Sequence, residues 1–189
     1  MSALPRELLL GLAALSLGTL AGAVPTRPAA AQTGDVATAT IIDTSGQPVG
    51  TARFTQQGGQ VSVDVTASNL APGFHGFHVH AIGICDPAAT FTTAGGHLNL
   101  TGTTHGDHSG DMPSLYVNAD GTGRMTAALD RFTIADLLDG DGSAVMIHAD
   151  PDNFAWIPSR YSVTLDETTL STGDAGARVA CGVIERAGG

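Results

Sequence analysis

Val61-Ser62-Val63-Asp64-Val65-Thr66 decides how this chain is read. Valine alternates with a polar residue, and successive side chains on a strand point to opposite faces. The run therefore describes a strand with one buried and one solvated face. Upstream, Val49 to Gln56 meets it across Gln57-Gly58-Gly59, a stretch suited to a hairpin turn. A second hairpin joins Leu115 to Ala119 with Arg124 to Leu129 through Asp120-Gly121-Thr122-Gly123. Further strands are expected at Val36 to Asp43, Gly76 to Ile82, Ala144 to His148 and Arg178 to Ile184, with a helical turn at Ala135 to Leu138. Short strands between turns predict an all-β fold, an antiparallel sandwich or barrel.

The first residues read differently. Arg6 precedes an apolar run from Leu8 to Val24, and Ala29-Ala30-Ala31 stands before Gln32. A charged start, an apolar stretch and small residues at a cleavage point describe a secretory signal peptide over residues 1–31. The apolar run is also about as long as the shortest spanning helices, so an uncleaved membrane tether is the alternative. Residues 32–189 then make one domain of 158 residues, enough for a single core. From Gln32 onward there are 17 acidic and 6 basic residues, a net charge of −11, and the chain has no lysine. That sign argues against nucleic acid or anionic lipid as partners, and an anionic substrate would need a local positive field. Cys85 and Cys181 are the only cysteines, and an even pair in an exported chain predicts one disulfide closing a long loop.

Two stretches of 27 residues, Cys85 to Asp111 and Asp150 to Gly176, do not read as strands. Loops of that length in a compact domain carry function or need a staple. Beside the first lies His78-Val79-His80. On a strand, residues two apart share a face, so both imidazoles can aim at one ion while Phe77 and Val79 pack behind them. The loop itself adds His97, His105, His108 and Asp111, three imidazoles and a carboxylate of the kind that hold Zn²⁺ tetrahedrally. His148, at the end of its strand, can supply a further ligand to the first pair. His75 falls on the opposite face from His78 and reads as structural.

Gly76-Phe77-His78-Val79-His80, Gly96-His97, His108-Ser109-Gly110-Asp111, Ile147-His148-Ala149 and the segment Gly173 to Ile184 (GDAGARVACGVI) resemble the signatures of the copper/zinc superoxide dismutases, most closely the secreted bacterial branch. The resemblance runs in order through nearly all of residues 32–189. It implies an eight-stranded Greek-key β-barrel of immunoglobulin-like sandwich architecture, with two long functional loops. It places copper on His78, His80, His97 and His148, and zinc on His97, His105, His108 and Asp111, so that His97 bridges the metals. Cys85 and Cys181 take the family's disulfide positions, and Arg178 that of the arginine that guides the substrate anion. Asp152 takes the place of the aspartate linking copper and zinc ligands. The chain departs from the family pattern in the short His105 to His108 spacing, in Ala81 where an acidic residue is common, and in Arg160 as the only basic residue of the loop before Arg178.

The implied activity is disproportionation of superoxide to dioxygen and hydrogen peroxide, with copper changing oxidation state, Arg178 docking the anion and His97 carrying a proton. A metal-binding module without turnover, located outside the cytosol, would keep the histidines but need neither Arg178 nor a bridging His97. A copper-only dismutase with an empty zinc site is a further alternative. A zinc hydrolase is a poorer fit, because the only glutamates after residue 31, Glu167 and Glu185, lie far from the histidines in sequence. Monomer and homodimer are both left open.

Overall fold

Val61, Val63 and Val65 lie fully inside the protein, while Asp64 and Thr66 face solvent. The computed structural model describes residues 35–161 and 163–188. The leader and tether expectations fall on residues 1–34, outside the described residues. In chain order the strands are β1 Val36–Asp43, β2 Pro48–Gln57, β3 Gln60–Ala67, β4 Gly73–His75, β5 Phe77–His80, β6 Leu115–Val117, β7 Gly123–Leu129, β8 Ser143–His148 and β9 Arg178–Arg186. Two short helices, α1 Ile134–Leu137 and α2 Glu167–Thr172, lie in connections. Both expected hairpins form, with Gln57 paired to Gln60 and Val117 paired to Gly123.

The strands hydrogen-bond in the order β4-β6-β7-β3-β2-β1-β9-β8-β5, every pair antiparallel. The two ends of that order, β4 and β5, are separated in the chain by Gly76 alone. The barrel therefore closes through the chain itself, and the nine segments reduce to the expected eight when Gly73–His80 is taken as one strand broken at Gly76. At the break the chain leaves β6 and joins β8. Gly76 N–H donates to the Asp150 carbonyl at 2.9 Å and its own carbonyl accepts from His148 N–H at 2.8 Å. A β-carbon here would lie 2.6 Å from that of Ala175, so only glycine fits.

Strand alternation fills the barrel. Ala37, Ala39 and Ile41 of β1, Phe54 of β2, Val61, Val63 and Val65 of β3, Phe77 and Val79 of β5, and Val145 and Ile147 of β8 share one core. A bulge where Ile41 faces Gly50 and Ile42 faces Pro48 resets the alternation of β2, so Val49 and Ala52 both point inward.

β5 and β8 are buried on both faces. Their outer faces are covered by the long loops, which form a second apolar cluster of Phe91, Ala94, Ala144, Met146 and Cys181, with Ile42 and Cys85 against it. The Cys85–Cys181 disulfide crosses this cluster with a Cα–Cα distance of 5.7 Å and joins residues 96 apart. The second loop is not irregular throughout. Within the stretch expected to be irregular, Asp166 caps α2 by accepting from Thr169 N–H at 2.9 Å.

Closing so long a loop restricts the unfolded chain, an effect worth about 4 to 5 kcal/mol by chain entropy. Replacing both cysteines by serine is expected to lower unfolding free energy in urea by about 2 to 5 kcal/mol. Wild-type protein measured with reductant should move to the same midpoint; an unchanged midpoint would mean that the outer cluster alone holds the loop.

Candidate metal centre

Four strand and loop segments bring the histidines to the outer face of β5 and β8. His78 and His80 stand on β5 opposite Met146 and Ala144. His148 ends β8, and His97 reaches the same face through a bridge to His80, as Asp111 does through a bridge to His78. All are buried. The rings of His78 and His97 lie 4.0 Å apart, His80 and His97 4.9 Å, and His78 and His148 4.9 Å between centroids.

Hydrogen bonds to fixed acceptors decide which nitrogen of each ring is left over. His80 Nδ1 donates to the Gly95 carbonyl at 3.0 Å and His148 Nδ1 to the Gly176 carbonyl at 3.1 Å, leaving Nε2 of each without a partner. His78 is turned the other way: its Nε2 donates to Asp152 Oδ2 at 2.8 Å, and Nδ1 is the unpartnered atom. His97 Nε2 is likewise buried and unpartnered. One ligand atom from each of His78, His80, His97 and His148 falls within 4.8 Å of the others. Four buried acceptor nitrogens facing one another without donors would be costly, unless a cation sits among them.

The other side of His97 faces a second group. Asp111 Oδ1 lies 2.9 Å from His97 Nδ1, 3.2 Å from His105 Nδ1 and 3.5 Å from His108 Nδ1, and the His97 and His108 Nδ1 atoms are 3.4 Å apart. A tetrahedral ion with ligands at about 2.0 to 2.1 Å sets its ligand atoms about 3.3 to 3.4 Å apart, so this set has the right size. The group on this side whose ligand atoms all lie within 4.8 Å of one another is His78, His97, His105 and Asp111. His78 has Nε2 committed to Asp152, whereas His108 Nδ1 is within 3.5 Å of both His97 and Asp111, so His108 is the better fourth member.

Asp152 ties the two groups together, with Oδ2 on His78 and Oδ1 on His105 Nε2, both at 2.8 Å. Asp111 is aimed by the short turn before it. Its Oδ2 accepts from Gly106 N–H at 2.8 Å and His108 N–H at 3.0 Å. Gly106 has φ +90°, and a side chain there would collide with the Phe154 carbonyl. His75 stays outside the cluster, with its ring nitrogens against the carbonyls of His148 and Ala71.

Arg178 reaches the site through a bulge. Ile147 pairs with Ala180 but His148 pairs with Arg178, so Val179 is the extra residue of β9. Regular alternation from Cys181 would send Arg178 into the barrel; the bulge turns it to the histidine face. Its Nη1 donates to the Phe91 carbonyl at 2.7 Å and its Nη2 to the Gly95 carbonyl at 2.6 Å, the same carbonyl that orients His80. No carboxylate neutralises it among the described residues. Arg160 lies elsewhere, 4.7 Å over the Tyr161 ring.

Burial dominates the protonation of His78, His80 and His148. It pushes His78 down to about 4 and His148 to about 3, and holds His80 well below its usual range, with neighbouring histidines adding to the effect. Burial also opposes charge on His105, but hydrogen bonds to Asp111 and Asp152 outweigh it and raise His105 to about 9. Burial likewise works against both carboxylates, yet their histidine contacts keep Asp111 and Asp152 well below the ordinary range.

A family model described as copper/zinc superoxide dismutase (SODC) matches residues 48–184. The chain is 44% identical over 182 residues to a Cu-Zn superoxide dismutase of Mycolicibacterium paratuberculosis, an alignment covering 87% of this chain and 79% of that one. It is 42% identical over 165 residues to one of Mycobacterium tuberculosis, covering 78% and 69%. Among solved structures, a SOD-like protein from Bacillus subtilis superposes with a TM-score of 0.63 at 28% identity, covering 77% of this chain and 95% of that one.

The histidine states predict a pH profile for metal-free protein. An unfolded histidine titrates near 6.5, above folded His78 and His148, so the unfolded chain takes up protons first and stability falls as pH drops from 6.5 toward 4. His105 has the opposite sign: its contribution is complete below 6.5 and is lost as pH rises through about 9. Melting temperatures of metal-free protein should therefore peak near pH 6.5, and a flat profile from 4 to 9 would rule out these states.

Proposed function

The chain belongs to the copper/zinc superoxide dismutase family, and on that basis we propose that it disproportionates superoxide at the histidine cluster. Copper would be held by His78 Nδ1 and by Nε2 of His80, His97 and His148. Zinc would be held by Nδ1 of His97, His105 and His108 and by Asp111 Oδ1. One ring carries this reading: His97 turns Nε2 to the first group and Nδ1 to the second.

Overall, two superoxide anions and two protons give one dioxygen and one hydrogen peroxide. Copper bound by imidazoles alone supplies a one-electron couple with room for a small ligand, and zinc supplies fixed charge behind it. The chain's own residues do the rest. Arg178 presents a permanent positive charge beside His80 and His148, held by two carbonyls and neutralised by no acid among the described residues, in a chain whose overall charge repels anions. His97 Nε2, buried and free of protein partners, is the atom that can hold a proton and pass it to reduced dioxygen. Asp152 and the carbonyls of Gly95 and Gly176 keep the rings oriented.

The disulfide fits a setting outside the reducing cytosol. With the leader-like residues 1–31, it supports export to the cell envelope or beyond.

Purified protein is expected to carry one copper and one zinc per chain, by elemental analysis, and to disproportionate superoxide. Metal binding without turnover would replace this reading with a binding module, and copper alone would remove the zinc assignment. Arg178→Met should keep its copper and lose roughly tenfold in rate at low salt. Added salt should slow the wild type more than the variant, because screening shortens the reach of the arginine's field. An equal low-salt rate for both would remove the steering role.

A further inference from the structure

The four residues His105 to His108 must deliver two ligands from a single turn, and the N–H side of that turn is already committed. Gly106 and His108 both donate to Asp111 Oδ2. The carbonyls of the same two residues point the opposite way, and both end on one side chain from another part of the barrel. Arg131 Nη1 donates to the Gly106 carbonyl at 3.0 Å and to the His108 carbonyl at 3.2 Å. Its Nη2 lies 3.5 Å from Asp107 Oδ1, an exposed pair that contributes little.

Arg131 itself sits on a rigid base. Phe132 beside it is buried in the barrel core, as is Ile134. The next residue, Thr133, caps α1 reciprocally with Asp136. The guanidinium therefore projects from a fixed point in the β7 to β8 connection, and the planar NH2 group of Nη1 carries both carbonyl bonds while Nη2 turns to Asp107. Gripped by Asp111 on one edge and Arg131 on the other, the turn has little freedom to rotate its peptide groups. Rotation of either peptide would swing His108 away or release Asp111 Oδ2, and so move Oδ1 from the Nδ1 atoms of His97, His105 and His108.

We propose that Arg131 is a positioning residue for the zinc group, a clamp on the Gly106 and His108 carbonyls that preorganises the turn before the ion arrives. This inference rests on the zinc assignment made above. The four-histidine group takes its orienting bonds from Gly95, Gly176 and Asp152 instead. Holding a ligand set in place ahead of binding strengthens affinity by sparing the ion the cost of ordering it, and outer contacts of this kind are typically worth about 10- to 100-fold in metal affinity.

The test uses the full protein loaded with both metals. Zinc release to a chromogenic chelator is expected to be at least about tenfold faster in Arg131→Ala, with copper retention unchanged. Arg131→Lys, which keeps the charge but not the planar NH2 group that donates to both carbonyls, should release zinc nearly as fast as the alanine variant. Wild-type release from Arg131→Ala would overturn the clamp, and full rescue by lysine would overturn the need for a guanidinium in favour of simple charge. Hydrogen exchange of the Gly106 and His108 amides in metal-free protein supplies a readout that needs no zinc. Faster exchange in Arg131→Ala supports the clamp and equal exchange overturns it. Should the wild type bind no zinc, the zinc assignment falls while exchange still judges the clamp.

Discussion

A buried imidazole has two nitrogens, and tying one to a fixed acceptor leaves the other committed to a single direction. In this protein the acceptors come from different segments: Gly95 for His80, Gly176 for His148 and Asp152 for both His78 and His105. Each acceptor belongs to one of the two long loops. The loops therefore orient the ligands, while the strands only bring them near. His78 illustrates the division, because its strand neighbour His80 uses the opposite ring nitrogen.

The outer apolar cluster makes that orientation durable. Phe91 and Ala94 pack on Ala144 and Met146 of β8, and the disulfide pins Cys85 to β9 beside them. The anchored segment then offers the Phe91 and Gly95 carbonyls to Arg178, so the disulfide, His80 and the cation share one short piece of backbone. Burial supplies the electrostatics. It keeps His78, His80 and His148 neutral near physiological pH, as ligands must be, while the two carboxylates gather charge toward His105.

An acidic chain that acts on an anion has to solve a problem of sign. In the proposed assignment the solution is local: Arg178, without a carboxylate partner among the described residues, would outweigh a distant negative surface because field strength falls with distance and with screening. Arg131 and Arg186, by contrast, each lie near an aspartate and project little free charge.

Period-two runs such as Val61 to Thr66 and the turns at Gly58-Gly59 and Gly121 made the strands legible from sequence, because strand alternation and turn chemistry are local properties. Residue types and the two-residue spacing of His78 and His80 likewise pointed to a metal, since two side chains on one strand face can share an ion. Three things were decided only by the tertiary structure. The bulge at Val179 turns Arg178 outward, the break at Gly76 closes the barrel, and the turn at Gly106 is held between Asp111 and Arg131. Each depends on main-chain groups meeting across the fold, and a carbonyl or an N–H has no letter of its own in the sequence.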